Sequence, residues 1–147
     1  MVDELSRCRT RALNLLARRE HTELELQRKL ITKDFSEAIV AQVIESLIDK
    51  NFLSDLRFTE LYVEQRARIG YGPLRIQQEL QQRGVKAEVM EPALKFQQDE
   101  WVPNAHKAWQ KYMRLHPEAE LAKQQKFLLY RGYSYDQMKA AIEIKKE

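Results

Sequence analysis

With 147 residues, of which 44% are hydrophobic and 32% charged, the chain holds enough apolar material for a packed core under a highly charged surface. It has no apolar run long enough to span a bilayer, its Met-Val-Asp-Glu-Leu start does not resemble a secretory signal, and its single Cys8 has no internal disulfide partner, so a reducing cytoplasm is the expected setting. A formal net charge of only +3 argues against a surface that tracks a phosphate backbone along its whole length.

Taken in order, a first helix starts near Leu5, with Leu13, Leu16 and Ala17 as its buried stripe and Arg7, Arg11 and Arg18 on the rest of its surface. Thr22 and Glu25 form a capping box for a second helix, each side chain meeting the other residue's free backbone N–H, and His21 beside it is read as solvent-facing. A third helix from Ser36 carries Ile39, Val40, Val43, Ile44, Leu47 and Ile48, an amphipathic stripe that ends where Asn51 takes a left-handed cap.

The pattern then restarts at Leu53, with Ser54 or Asp55 as N-cap. Phe58, Leu61, Tyr62 and Gln65 fall at i, i+3, i+4 and i+7, and the helix they define stops at Gly70. Gly72 is read as supplying backbone freedom, and Pro73 suits a first helical turn. Ile76 and Leu80 line the following helix, which Gly84 closes. Glu64 with Arg68 and Glu79 with Arg83 are i, i+4 pairs in the favourable order. Val89, Met90, Ala93 and Leu94 point inward on the next helix, which Pro92 is expected to kink or to start late.

After Trp101-Val102-Pro103 comes a helix with Ala105, Ala108, Trp109 and Tyr112 on one side. Pro117 is read as the start of the next, with Leu121 and Leu128 inward and Lys123, Lys126 and Tyr130 on the opposite face. Ser134 and Gln137 form a second capping box ahead of Met138, Ala141 and Ile142. Gln124 stands where Leu26 and Ile76 stand earlier, which suggests looser packing here.

These stretches are copies of one another. Leu30, Leu80 and Leu128 are equivalent, followed four residues on by Asp34, Gly84 and Gly132 and one further by Phe35, Val85 and Tyr133. Val40, Met90 and Met138, then Ile44, Leu94 and Ile142, continue the match. The expected fold is all-α: an elongated array of three tandem three-helix repeats, over 1–52, 53–100 and 101–147, in a monomer. The first and second segments are nearly balanced in charge, while 101–147 carries nine basic and five acidic side chains.

No Ser/His/Asp arrangement, phosphate-cradling glycine loop or metal-spaced cluster is present, so no catalytic residue, metal or cofactor is expected. Leu53-Ser-Asp-Leu-Arg-Phe58, Arg66-Ala-Arg-Ile-Gly-Tyr-Gly-Pro-Leu-Arg-Ile76, Gln78-Glu-Leu80 and Gly84 resemble the signature of the bacterial RecX regulatory family. Arg19-Glu-His-Thr, Asp99-Glu-Trp101 and Phe127-Leu-Leu-Tyr-Arg-Gly-Tyr133 extend the likeness over nearly the whole chain. The resemblance implies a modulator of the recombinase RecA that lies in the groove of the RecA–DNA filament and suppresses ATP hydrolysis, strand exchange and co-protease activity. Partners implied are the filament and the single-stranded DNA within it. Glu23 and Glu25 depart from the basic residues relatives often carry there, which points away from DNA contact by the first repeat.

Candidates for meeting acidic or phosphate partners are Arg66, Arg68 and Arg75 around the central corner and Lys123, Lys126 and Arg131 in the last repeat, with Tyr71 and Tyr130 adding stacking area. The competing reading is an autonomous single-stranded nucleic-acid-binding helical repeat protein. Steep salt dependence of DNA binding, with no binding to the recombinase alone, would mark it.

Overall fold

The computed structural model describes residues 2–144; Met1 and residues 145–147, the end of the third predicted repeat, lie outside it. Among the described residues there are nine α-helices, one 3-10 turn over Gln98–Glu100, and no strand. The first repeat comprises α1 (Glu4–Arg18), α2 (Glu23–Thr32) and α3 (Glu37–Asp49), and the second α4 (Asp55–Ile69), α5 (Pro73–Gln82) and α6 (Ala87–Phe96). The third comprises α7 (Trp101–Leu115), α8 (Leu121–Tyr130) and α9 (Tyr135–Glu143).

Helix starts follow cap chemistry. Both capping boxes are formed, at Thr22/Glu25 and Ser134/Gln137, and the Ser36 and Ser54 hydroxyls accept from Ile39 and Arg57 N–H. Pro73 occupies the first turn of α5, where its missing N–H leaves no bond unmade. Asp34, Gly84 and Gly132 all have positive φ, at 67°, 81° and 100°. After α5 and α8 the residue following the left-handed glycine folds back, Val85 N–H donating to the Leu80 carbonyl and Tyr133 N–H to that of Leu128, so two buried side chains close each helix end. The three equivalent leucines, Leu30, Leu80 and Leu128, are all 0% exposed.

The interior is not divided repeat by repeat. Cys8, Ala12, Leu26, Leu30, Val40 and Leu47 form one core, in which Leu53 also buries its side chain. Side chains from the second and third repeats, among them Phe58, Ile76, Leu80, Trp101, Leu128 and Tyr133, form a second, continuous core.

Several expected faces are rotated. The buried face of α1 is Cys8 and Ala12, with Leu13 and Ala17 exposed. On α4 it is Phe58, Thr59, Val63 and Ala67, with Leu61 and Gln65 in solvent. Cys8, Ala12, Thr59 and Ala67 at these positions are short side chains, which lets the neighbouring helix come close. Ile48 and Leu121 are also exposed, and α8 begins four residues after Pro117, which sits in a turn. The structure places the start of α6 five residues before Pro92, so the late start is not found. Gln124 is tied in place, accepting from Trp109 Nε1–H at 2.9 Å and donating to the Ala119 carbonyl at 2.8 Å.

His21 is the clearest reversal. It is 1% exposed, with Nδ1 3.0 Å from the Arg19 carbonyl and Nε2 2.8 Å from Lys29 Nζ. An ammonium has only donors, so Nε2 accepts and Nδ1–H donates, which requires a neutral ring. Burial pushes its pKa below the usual histidine value and outweighs the carbonyl contact.

Candidate functional site: an arginine–tyrosine cluster at the central corner

The corner between α4 and α5 does not stand free. Gly72 N–H donates to the Arg131 carbonyl at 2.8 Å and Leu74 N–H to the Gly132 carbonyl at 2.9 Å, so the backbone of the central corner rests on that of the α8–α9 corner. Gly72 has an ordinary extended backbone (φ −91°), contrary to the expected need for special angles. Glycine is required there for space, since a Cβ would run into the Gly132 carbonyl and Tyr133 N. Gly70 is the residue that uses the left-handed region, at φ 108°.

This docking collects side chains that are far apart in sequence. Tyr71, half-buried, has the Arg66 guanidinium 3.9 Å from its ring centroid, Arg75 at 4.6 Å and Arg131 at 4.7 Å. These distances are within cation–π range. Arg75 also lies 5.3 Å from the ring of Tyr130, which is 76% exposed, and Arg131 5.1 Å from that of Phe127.

One carboxylate organises the inner half. Glu79 accepts from Arg66 Nε–H and Nη2–H at 3.1 and 2.8 Å in a bidentate pair, accepts the Tyr62 hydroxyl at 3.0 Å, and has Arg75 Nε 3.6 Å away. Burial works to raise the Glu79 carboxyl, but the hydrogen bonds from Arg66 and Tyr62 and the charges of Arg66 and Arg75 hold it below the usual carboxylate range. The Tyr62 phenol is pushed up, by burial and then by its bond to Glu79. The expected Glu79–Arg83 ion pair is absent: Arg83 donates to the Glu79 backbone carbonyl and turns its charge towards Glu25, 3.6 Å away.

Of the eight candidates read from sequence, Arg66, Tyr71, Arg75, Tyr130 and Arg131 meet here. Arg68 faces elsewhere, paired with Glu64 at 3.0 Å as its spacing predicts. Lys123 and Lys126 lie exposed on α8 and make no ion pair among the described residues. Sequence reading missed Tyr62 and Glu79 as members; the i, i+4 spacing of Arg75 and Glu79 was the available signal. Among the described residues no group of three His, Cys, Asp or Glu side chains could hold a metal ion, and no helix is long and apolar enough to cross a membrane.

The arrangement offers planar guanidinium donors and aromatic faces, a surface for acidic or phosphate-bearing partners. Fold and site together define a tandem three-helix-repeat protein with a basic, aromatic junction. The family models for RecX match in chain order, the first three-helix domain over residues 8–47, the second over 54–94 and the third over 104–142. The regulatory protein RecX of Legionella pneumophila (strain Corby) is 40% identical over 128 residues, 85% of this chain and 85% of its own length. That of Ectopseudomonas mendocina (strain ymp) is 41% identical over 139 residues, 92% and 93% of the two chains. A crystal structure of RecX from Lactobacillus salivarius superposes with a TM-score of 0.83 at 26% identity, covering 97% of each chain. With all three domains present in order, the chain belongs to the RecX family of regulatory proteins.

Proposed function

We propose that this chain binds the RecA–DNA filament in the cytoplasm and inhibits the recombinase's ATP hydrolysis, strand exchange and co-protease activities. Membership of a regulatory family through all three of its domains carries the reading. The arginine–tyrosine cluster is the surface that suits it. Three guanidinium groups surround Tyr71 against the single Glu79 carboxylate, and Arg131 has only aromatic rings and no carboxylate partner among the described residues. A charge left unneutralised at a half-buried aromatic site is available to a phosphate or carboxylate of the filament.

The test is RecA-driven ATP hydrolysis on single-stranded DNA with this chain added well below one copy per recombinase subunit. Inhibition is expected there, weakened by Arg131→Glu, and by Lys123→Glu with Lys126→Glu chiefly through slower association at low salt. No inhibition at equimolar protein refutes the proposal.

A second reading, an autonomous single-stranded nucleic-acid binder, draws on exposed Tyr130 beside Arg75, a pairing on which a base can stack. Affinity for oligo-dT that falls steeply with salt, without binding to recombinase, would favour it.

A further inference from the structure

The second repeat has another surface, on a different side of α4 from the one that carries Arg66. An open groove of about 550 Å³ runs between α4 and α6, lined by Leu56, Glu60 and Glu64 on one wall and Pro92, Ala93 and Phe96 on the other. Residues 56, 60 and 64, and likewise 92 and 96, are four apart, so each wall is one stripe of successive helical turns. Phe96 is 86% exposed and Leu56 52%, an unusual outlay of large apolar surface beside a formed groove. The Pro92 ring, at an exposed position inside α6, adds apolar surface to that wall.

The groove's lining carries two carboxylates, Glu60 and Glu64, and no cation. Glu60 makes no ion pair among the described residues, Glu64 is held by Arg68, and Asp99 and Glu100 follow in the 3-10 turn just past α6. Lys95, beside Phe96, is the nearby cation on α6. Nucleic acid and anionic lipid would meet carboxylates here, whereas a cationic protein segment would find both an apolar seat and opposite charge.

We propose that the α4–α6 groove docks a protein segment presenting apolar side chains flanked by lysine or arginine, as on one face of an amphipathic helix. The proposal is independent of the arginine–tyrosine cluster and gives the chain a protein-selective surface distinct from its basic one. Leu56 and Phe96 are the apolar anchors, and Glu60 sets the charge preference.

The probe is a fluorescent helical peptide with leucines at i, i+4 and i+8 and lysines beside them, compared with versions carrying Glu for Lys or Ser for Leu. The full chain should bind the basic, apolar peptide about tenfold or more tighter than either control. Phe96→Ser and Leu56→Ser, both at exposed positions, should abolish that preference with unchanged thermal melting. Glu60→Lys with Glu64→Lys should turn the preference towards the acidic peptide, and Arg131→Glu should leave it intact. Equal binding of all three peptides, no reversal by the paired lysines, or sedimentation showing that Phe96 instead joins two copies of this chain would each overturn the proposal.

Discussion

Between the second and third repeats one apolar core passes through the junction, and the two corners are joined by backbone hydrogen bonds. Between the first and second the cores are separate and, apart from Leu53 in the first core and Leu24 against Gly84, the crossing is made by polar groups. There Thr22 Oγ1–H donates to the Arg83 carbonyl at 2.7 Å, Glu23 N–H to Asp55 Oδ1 at 2.8 Å, and Arg57 Nε–H to Glu20 at 2.6 Å. Burial that continues across a boundary couples folding on both sides, while partly buried polar contacts contribute less and an ion pair among them is screened by salt. Three copies of one unit are therefore expected to unfold as two bodies: the first repeat, and the second fused to the third.

The largest effect should come from placing a methyl group at each junction in turn. Gly72→Ala forces a Cβ into the backbone of the α8–α9 corner, which cannot yield as a side chain can, and should destabilise by about 3 kcal/mol, the upper end for overpacking. Gly84→Ala sets a Cβ 2.8 Å from Leu24 across the other junction, where the leucine can rotate, leaving mainly the penalty of φ 81°, about 1–2 kcal/mol. Denaturant unfolding followed by amide exchange checks both. Gly72→Ala should speed exchange throughout α4–α9 while amides of α2 and α3 keep their own, separate protection. Equal losses at both junctions would erase the distinction.

An intermediate effect is expected from Glu79→Gln, which leaves Arg66 and Arg75 facing a neutral amide and should lower stability near neutral pH by about 1–3 kcal/mol. The sign with pH follows from the lowered carboxyl. The folded state holds that proton less tightly than the unfolded chain, whose glutamates titrate at about 4.3, so the stabilisation is complete above that value and is lost as pH falls through the lower folded pKa. Melting temperature measured from neutral pH downward should drop more steeply for the native chain than for the variant. Parallel curves would mean that the pair adds nothing to the second and third repeats.

The smallest effect belongs to the polar junction. Arg57→Ala removes a 2.6 Å pair with Glu20 and two bonds to the Asn51 and Phe52 carbonyls, at partly exposed positions. It should destabilise by about 1 kcal/mol or less, with the difference shrinking at high salt. A loss as large as that from Gly72→Ala would show that the first repeat is held as firmly as the others.

The repeat plan was readable because it is local. Leu30, Leu80 and Leu128, with the left-handed residue four positions on, recur in a chain where each helix end must be satisfied in the same way. Facing was less readable. Apolar periodicity favours leucine stripes, yet Ala12 and Ala67 are buried where leucines one or several positions away are not, because close helix approach selects small side chains. The buried, neutral His21 depended on Lys29 from the next helical turns, and its sequence neighbours gave no sign of that. Part of the cluster is legible in the sequence, as arginines and tyrosines near two corners. That Arg131 and Tyr71 share one site depended on two glycines meeting across 60 residues of chain, and Glu79's choice of Arg66 over Arg83 depended on how α4 lies against α5. Such long-range choices leave no periodic trace.

Cys8 has a consequence of a different kind. It is the chain's one thiol, wholly enclosed in the first core, and burial, with the nearby Glu4 charge, pushes its pKa up. A thiol so placed does not meet reagents in solution until the first repeat opens, so its labelling rate is a clock for that opening. Both tryptophans, Trp101 and Trp109, sit on α7 in the other body. The molecule therefore carries one chemical and one optical reporter, each native, each confined to a different half.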